Sequence, residues 1–161
     1  MWLSSTAKQA LHAVVCIAGS ADDGPVRVDD IAAVMDCPRN YLSKTLHILA
    51  RAGVLRSVRG PKGGFRLSMS PDRLSLARVI APFEPVAERR CLVGRATCSD
   101  ARPCAAHERW AGVADRVNEF FTGTTIAMLL KDNPRATEEA RAVIRSVRRH
   151  SNPRLSHGSV A

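Results

Sequence analysis

Residues 29–70, DDIAAVMDCPRNYLSKTLHILARAGVLRSVRGPKGGFRLSMS, decide the fold. The opening DDIAAVMD predicts a short helix over 29–36, because its leading aspartates suit the positive end of a helix dipole and apolar residues follow at helical spacing. Cys37 and Pro38 then make a tight connection. Pro38 fits the first turn of the next helix, where its missing N–H has no partner to lose. That helix runs to about Ala52, buries Leu42, Leu46 and Leu49, and is capped by Gly53. Two short helices joined by a tight turn form a helix-turn-helix, whose second helix presents its first-turn side chains to base edges. Here those side chains are Arg39, Asn40, Tyr41, Ser43 and Lys44. VLRSVRG and FRLSMS follow as two alternating strands around a turn holding Gly60, Pro61, Gly63 and Gly64. This hairpin is a basic wing. Arg59 and Lys62 at its tip suit a minor groove, and the glycines let backbone approach phosphates.

Charge supports the same surface. The 161 residues hold 24 Lys+Arg against 15 Asp+Glu, a net +9. Divided at residues 75 and 134, the chain carries +4, +1 and +4. Residues 39–66 contain Arg39, Lys44, Arg51, Arg56, Arg59, Lys62 and Arg66 and no acid at all. A solvated face would intersperse both signs, so seven uncompensated cations read as a phosphate-facing surface for double-stranded DNA. The hydrophobic fraction of 45% is enough for a core and excludes wholesale disorder. No apolar run approaches the length of a membrane span, and the N-terminus has neither the basic start nor the cleavage site of a signal peptide. A cytoplasmic location is therefore expected, with no membrane partner.

Outward from the wing, residues 5–19 predict a first helix, with Ala10, Leu11, Val14, Val15 and Ala18 on one stripe. Residues 74–83 return to helical periodicity, and residues 86–104 are an Arg-rich loop. A long helix begins near Ala105, carrying Trp110, Val113, Ala114, Val117, Phe120 and Phe121, and TTIAMLLKD extends it beyond Gly123. Too little chain remains to cover that stripe, so it is expected to pack against a second copy in a homodimer. The tail holds one short helical pattern, ATEEARAVIRSVRRH, and is expected to be solvated and without chemistry. The fold class is thus mainly α with a small β-hairpin wing. Its divisions are a winged helix-turn-helix domain over 1–84, a cysteine loop over 85–104, dimerisation helices over 105–132, and a basic, partly disordered tail over 133–161.

Five cysteines in a reducing compartment argue for metal or redox chemistry rather than a disulfide framework. Cys91, Cys98, Cys104 and His107 are spaced C-x6-C-x5-C-x2-H. Thiolates and imidazole serve zinc and iron-sulfur clusters alike. The long gaps wrap a wide object better than a single ion, which favours a cluster and leaves zinc as the alternative. Arg89, Arg90, Arg95 and Arg102 offer positive charge to an anionic cluster. Cys16 and Cys37 read as small core residues. His12 reads as a surface histidine, with ligation to a partner's cluster as its alternative.

The opening MWLSS, the wing VRGPKGGFRL, the three-cysteine loop and the TIAMLL helix together resemble the winged-helix iron-sulfur regulators of the IscR, NsrR and RirA type. The likeness covers roughly the first 130 residues. It implies a homodimer on a pseudo-palindromic operator, with the recognition helix in the major groove and the wing in the minor groove. It also implies a cluster on Cys91, Cys98 and Cys104, completed by His107 as in the IscR type. Its loss, oxidation or reaction with nitric oxide would change DNA affinity. The expected cluster is 2Fe–2S, with 4Fe–4S as the alternative. Lys8 stands where the nitric-oxide sensors place an acidic ligand, and protonated lysine cannot ligate. Trp2 stands in place of the family's arginine, and the first cysteine gap is one residue longer than in compact members. The expected function is a DNA-binding regulator, most simply a repressor, controlled by redox, iron or nitric-oxide status. The alternatives are a regulator with structural zinc or with thiol redox sensing alone. No P-loop, nucleophile elbow or HExxH pattern is present, so an enzyme is not expected.

Overall fold

The structure is a computed structural model and describes residues 3–61, 63–84, 91–94 and 98–150. Helix α1 spans Ser5–Gly19, and Ser4 caps it by accepting from the Ala7 N–H. Its inner face is Ala7, Ala10, Ala13, Val14 and Ile17, so small that neighbouring helices approach closely. The predicted Leu11 and Val15 are only half-buried at its flank. Helix α2 spans Val28–Met35, and Asp36 ends it in the left-handed region at φ 46°. Helix α3 spans Arg39–Arg51, with Leu42, Leu46 and Leu49 wholly buried, as their spacing predicts. Thr45, also buried, donates to Gln9 Oε1 at 3.0 Å and pins α3 to α1.

Strands β1 (Leu55–Val58) and β2 (Gly64–Leu67) pair antiparallel, with Leu55 opposite Leu67 and Val58 opposite Gly64. Val26, just before α2, adds a third edge through two bonds to Phe65 of 2.9 and 2.8 Å. That close approach explains the paired glycines. A Cβ on Gly64 would lie 2.5 Å from the Val26 carbonyl oxygen, and its φ of +153° already disfavours a side chain. A Cβ on Gly63 would collide with the Val58 carbonyl oxygen across the turn.

Helix α4 is shorter than predicted, Leu76–Ile80, and buries Leu76, Val79 and Ile80. Helices α5 (His107–Gly123) and α6 (Ile126–Asp132) return to the same core, because residues 74–76 pair with 124–126. Leu76 N donates to Thr124 O at 3.0 Å and Ile126 N to Leu74 O at 2.9 Å. Helix α7 spans Pro134–His150 and packs on α1 and α2 with Ile144 wholly buried. The solvated tail read from the sequence is therefore corrected over these residues, while 151–161 lie outside the described ones. Among the described residues no helix is long and apolar enough to cross a membrane.

Candidate DNA interface and metal centre

The first two turns of α3 place Arg39, Asn40, Tyr41 and Lys44 in solvent, with Ser43 half-exposed. Two are already oriented. Arg39 Nε lies 2.5 Å from Asp29 Oδ1, and the Tyr41 hydroxyl lies 2.5 Å from Thr6 Oγ1. Arg39 is thus held by the preceding helix in an exposed pair that a phosphate or guanine can displace at little cost. Arg59 is exposed on the wing, and Lys62 lies outside the described residues. Arg27 is a residue the sequence did not reveal: its guanidinium donates to the Pro61 carbonyl at 2.7 Å and ties the wing turn to the start of α2. Its partner stands 34 positions away, beyond any local pattern. The wing is thereby fixed to the helix that precedes α3.

The four candidate ligands form two pairs. Cys91 Sγ lies 3.9 Å from Cys104 Sγ, and Cys98 Sγ lies 3.4 Å from His107 Nδ1. Two sulfurs about 2.3 Å from one tetrahedral metal lie about 3.8 Å apart, and a sulfur and a nitrogen about 3.6 Å apart. Each pair thus has the span of two ligands on one ion. All three thiols are half-buried, and His107 is buried at the head of α5, its N–H donating to Cys104 O at 2.9 Å. His107 Nε2 lies 2.9 Å from Asp100 Oδ1, a partner the sequence reading passed over. The signal was an acid among ligand candidates, since ligand histidines usually keep such a partner. Among the described residues no three such side chains converge on one point. By residue type, three thiols and an imidazole are donors that suit an iron-sulfur cluster and zinc alike. Arg102 is exposed nearby, and Arg89, Arg90 and Arg95 lie outside the described residues.

Cys16 is buried among the small residues of α1, as expected, and Cys37 is half-buried. His12 and Lys8 are exposed on α1. The arginines of α7, read as solvated, reach the head instead. Arg148 pairs with the buried Asp30 at 3.0 Å and donates to the carbonyls of Asp23 and Pro25. Arg145 pairs with Asp23 at 3.2 Å, and Arg141 donates to the Gly19 carbonyl at the end of α1.

Comparisons with known proteins agree with this architecture. The Rrf2 family model, described as an iron-dependent transcriptional regulator, matches residues 3–132. The chain is 31% identical over 133 residues to the HTH-type transcriptional regulator IscR of Aliivibrio salmonicida, covering 83% of this chain and 79% of that protein. In fold it is similar to CymR, the global cysteine regulator of B. subtilis, with a TM-score of 0.70 at 24% identity over 81% of this chain and 97% of the other. It is also similar to T. potens IscR, with a TM-score of 0.67 at 23% identity over 82% and 88%. Two short helices followed by a hairpin wing, and a family match that runs from residue 3 through α6, lead to one conclusion: the chain belongs to the Rrf2 family as a helix-turn-helix transcriptional regulator, not an enzyme.

Proposed function

We propose that this regulator is a homodimer whose operator affinity is set by an iron-sulfur cluster on Cys91, Cys98, Cys104 and His107, sensing redox, iron or nitric-oxide status in the cytoplasm. The observation that carries the reading is the two-pair arrangement, Cys91 with Cys104 and Cys98 with His107. A 2Fe–2S cluster asks for two protein ligands on each iron, so two pairs suit it better than a single zinc ion does. When bound, the cluster supplies one-electron chemistry and an oxidant-sensitive core. The chain's own part is to hold that core against the head of α5, whose N-terminal dipole favours negative charge.

Arg39, Asn40, Tyr41, Ser43 and Lys44 read base edges and phosphates, while Arg59 and Lys62 grip the adjacent groove. On α5, Val113 and Phe120 are 45% and 55% exposed and fall in register with the half-buried Trp110 and Val117. This apolar seam at spacings of three and four suits a second copy, which would place two reading heads on a pseudo-palindromic operator. Regulation then follows if the filled and empty loops favour different separations of the two heads.

Anaerobically purified protein is expected to show broad visible absorption and, once reduced, an electron paramagnetic resonance signal, with iron and sulfide in equal amounts. Colourless protein carrying one zinc ion per chain overturns this version. A second reading has its own observation. Cys91 and Cys104 are near enough to form a disulfide after a small movement, so a metal-free protein whose operator affinity changes with this bond would be a thiol sensor.

A further inference from the structure

We propose that Asp100 is the positioning residue of His107, fixing the tautomer and direction of the imidazole so that Nδ1 joins Cys98 at one end of the cluster site. The inference rests on the cluster reading above. An ionised carboxylate can only accept, so the 2.9 Å contact with Asp100 Oδ1 places the ring proton on Nε2. The neutral ring then carries its lone pair on Nδ1, and that atom lies 3.4 Å from Cys98 Sγ. The ring has little freedom to turn away. Its side chain is 11% exposed, and its backbone N–H is engaged by Cys104 O.

Asp100 itself is 74% exposed, so replacing its side chain opens no cavity in the core. A carboxylate behind a ligand histidine does two things. It holds the ring in the ligating direction and makes the ligating nitrogen a stronger donor, and losing such a partner typically weakens metal retention about 10–100-fold. Its negative charge also disfavours the arrival of an electron, which lowers the potential of the group it faces.

The test uses the full chain with its cluster assembled anaerobically from ferrous iron and sulfide. Native protein is compared with Asp100→Ala, Asp100→Asn and, as the ligand control, His107→Ala. Native protein should show nitrogen hyperfine coupling in the pulsed paramagnetic resonance of the reduced cluster, and His107→Ala should lose it. Asp100→Ala should weaken that coupling and shorten the lifetime of the visible absorption under a chelator by about 10–100-fold. Asp100→Asn keeps an acceptor oxygen without the charge. It should restore the coupling and most of the lifetime while raising the midpoint potential above native. Circular dichroism should match across all four. Native lifetime, coupling and potential in Asp100→Ala would overturn the proposal, as would failure of Asp100→Asn to restore the coupling. Native protein that takes up no coloured cluster would overturn the cluster reading itself, an outcome told apart by its spectrum before any variant is compared.

Discussion

Burial pushes the Cys16 thiol up from 9.0 to about 11, because the thiolate would have to leave water for the small apolar residues of α1. The folded chain therefore holds this proton more tightly than the unfolded chain does. Stability from the neutral thiol is complete below pH 9 and is lost as pH rises through about 11. Urea unfolding of the metal-free protein across that window should lose about 2–3 kcal/mol more than Cys16→Ala loses over the same span. On the reading face, Arg39→Ala and Asn40→Ala should each cost about 1–3 kcal/mol on the preferred operator and much less on unrelated duplex. Competition binding at fixed salt measures the difference. An equal loss on both duplexes would assign these side chains to phosphates instead. Arg59→Ala should weaken all duplexes and flatten the salt dependence by about one counterion.

Among the elements, the wing and α7 make contrasting demands. Gly64→Ala should cost about 2 kcal/mol or more, since Cβ must displace the Val26 carbonyl and break the third edge of the sheet. Arg148→Ala leaves the Asp30 carboxylate, 3% exposed, without its cation and should destabilise the head by about 3 kcal/mol, read by thermal or urea unfolding. Arg145→Ala should cost less than Arg148→Ala, because that arginine is about half exposed and its pair is better screened by water. The contrast marks what a sequence exposes. α3 and the hairpin were legible because their period, their turn glycines and the cap at Gly53 are local features. The four candidate ligand positions stand out by residue type and spacing, and the structure sets them as two pairs, Cys91 with Cys104 and Cys98 with His107. The docking of α7 was not, because its partners lie more than a hundred positions away and its composition matches a solvated basic helix. The stripe on α5 was read as one face, yet it divides: Ala114 and Phe121 enter the core while Val113 and Phe120 remain outside. Which side of an apolar stripe meets which neighbour depends on helix crossing, and no period encodes that.

At the scale of the whole molecule, the outward half of α5 makes assembly a testable property. Val113→Asp with Phe120→Asp should yield a folded monomer by sedimentation, and operator affinity should fall at least tenfold because one half-site is lost. Native-like circular dichroism in that variant separates lost pairing from lost folding. The bond from Arg148 to Asp30 spans 118 positions, and that from Arg141 to Gly19 spans 122. Contacts of such separation form late, because the intervening chain must be closed into a loop before they can reward it. During synthesis α2 and α3 leave the ribosome well before α7, so Asp30 waits for its cation until the last turn of α7 has emerged. A nascent chain halted before α7 therefore carries a reading head that is folded in outline but not yet charge-balanced at the base of α2. Emergence of α7, rather than of the helix-turn-helix and wing alone, therefore times the charge balance at the base of α2.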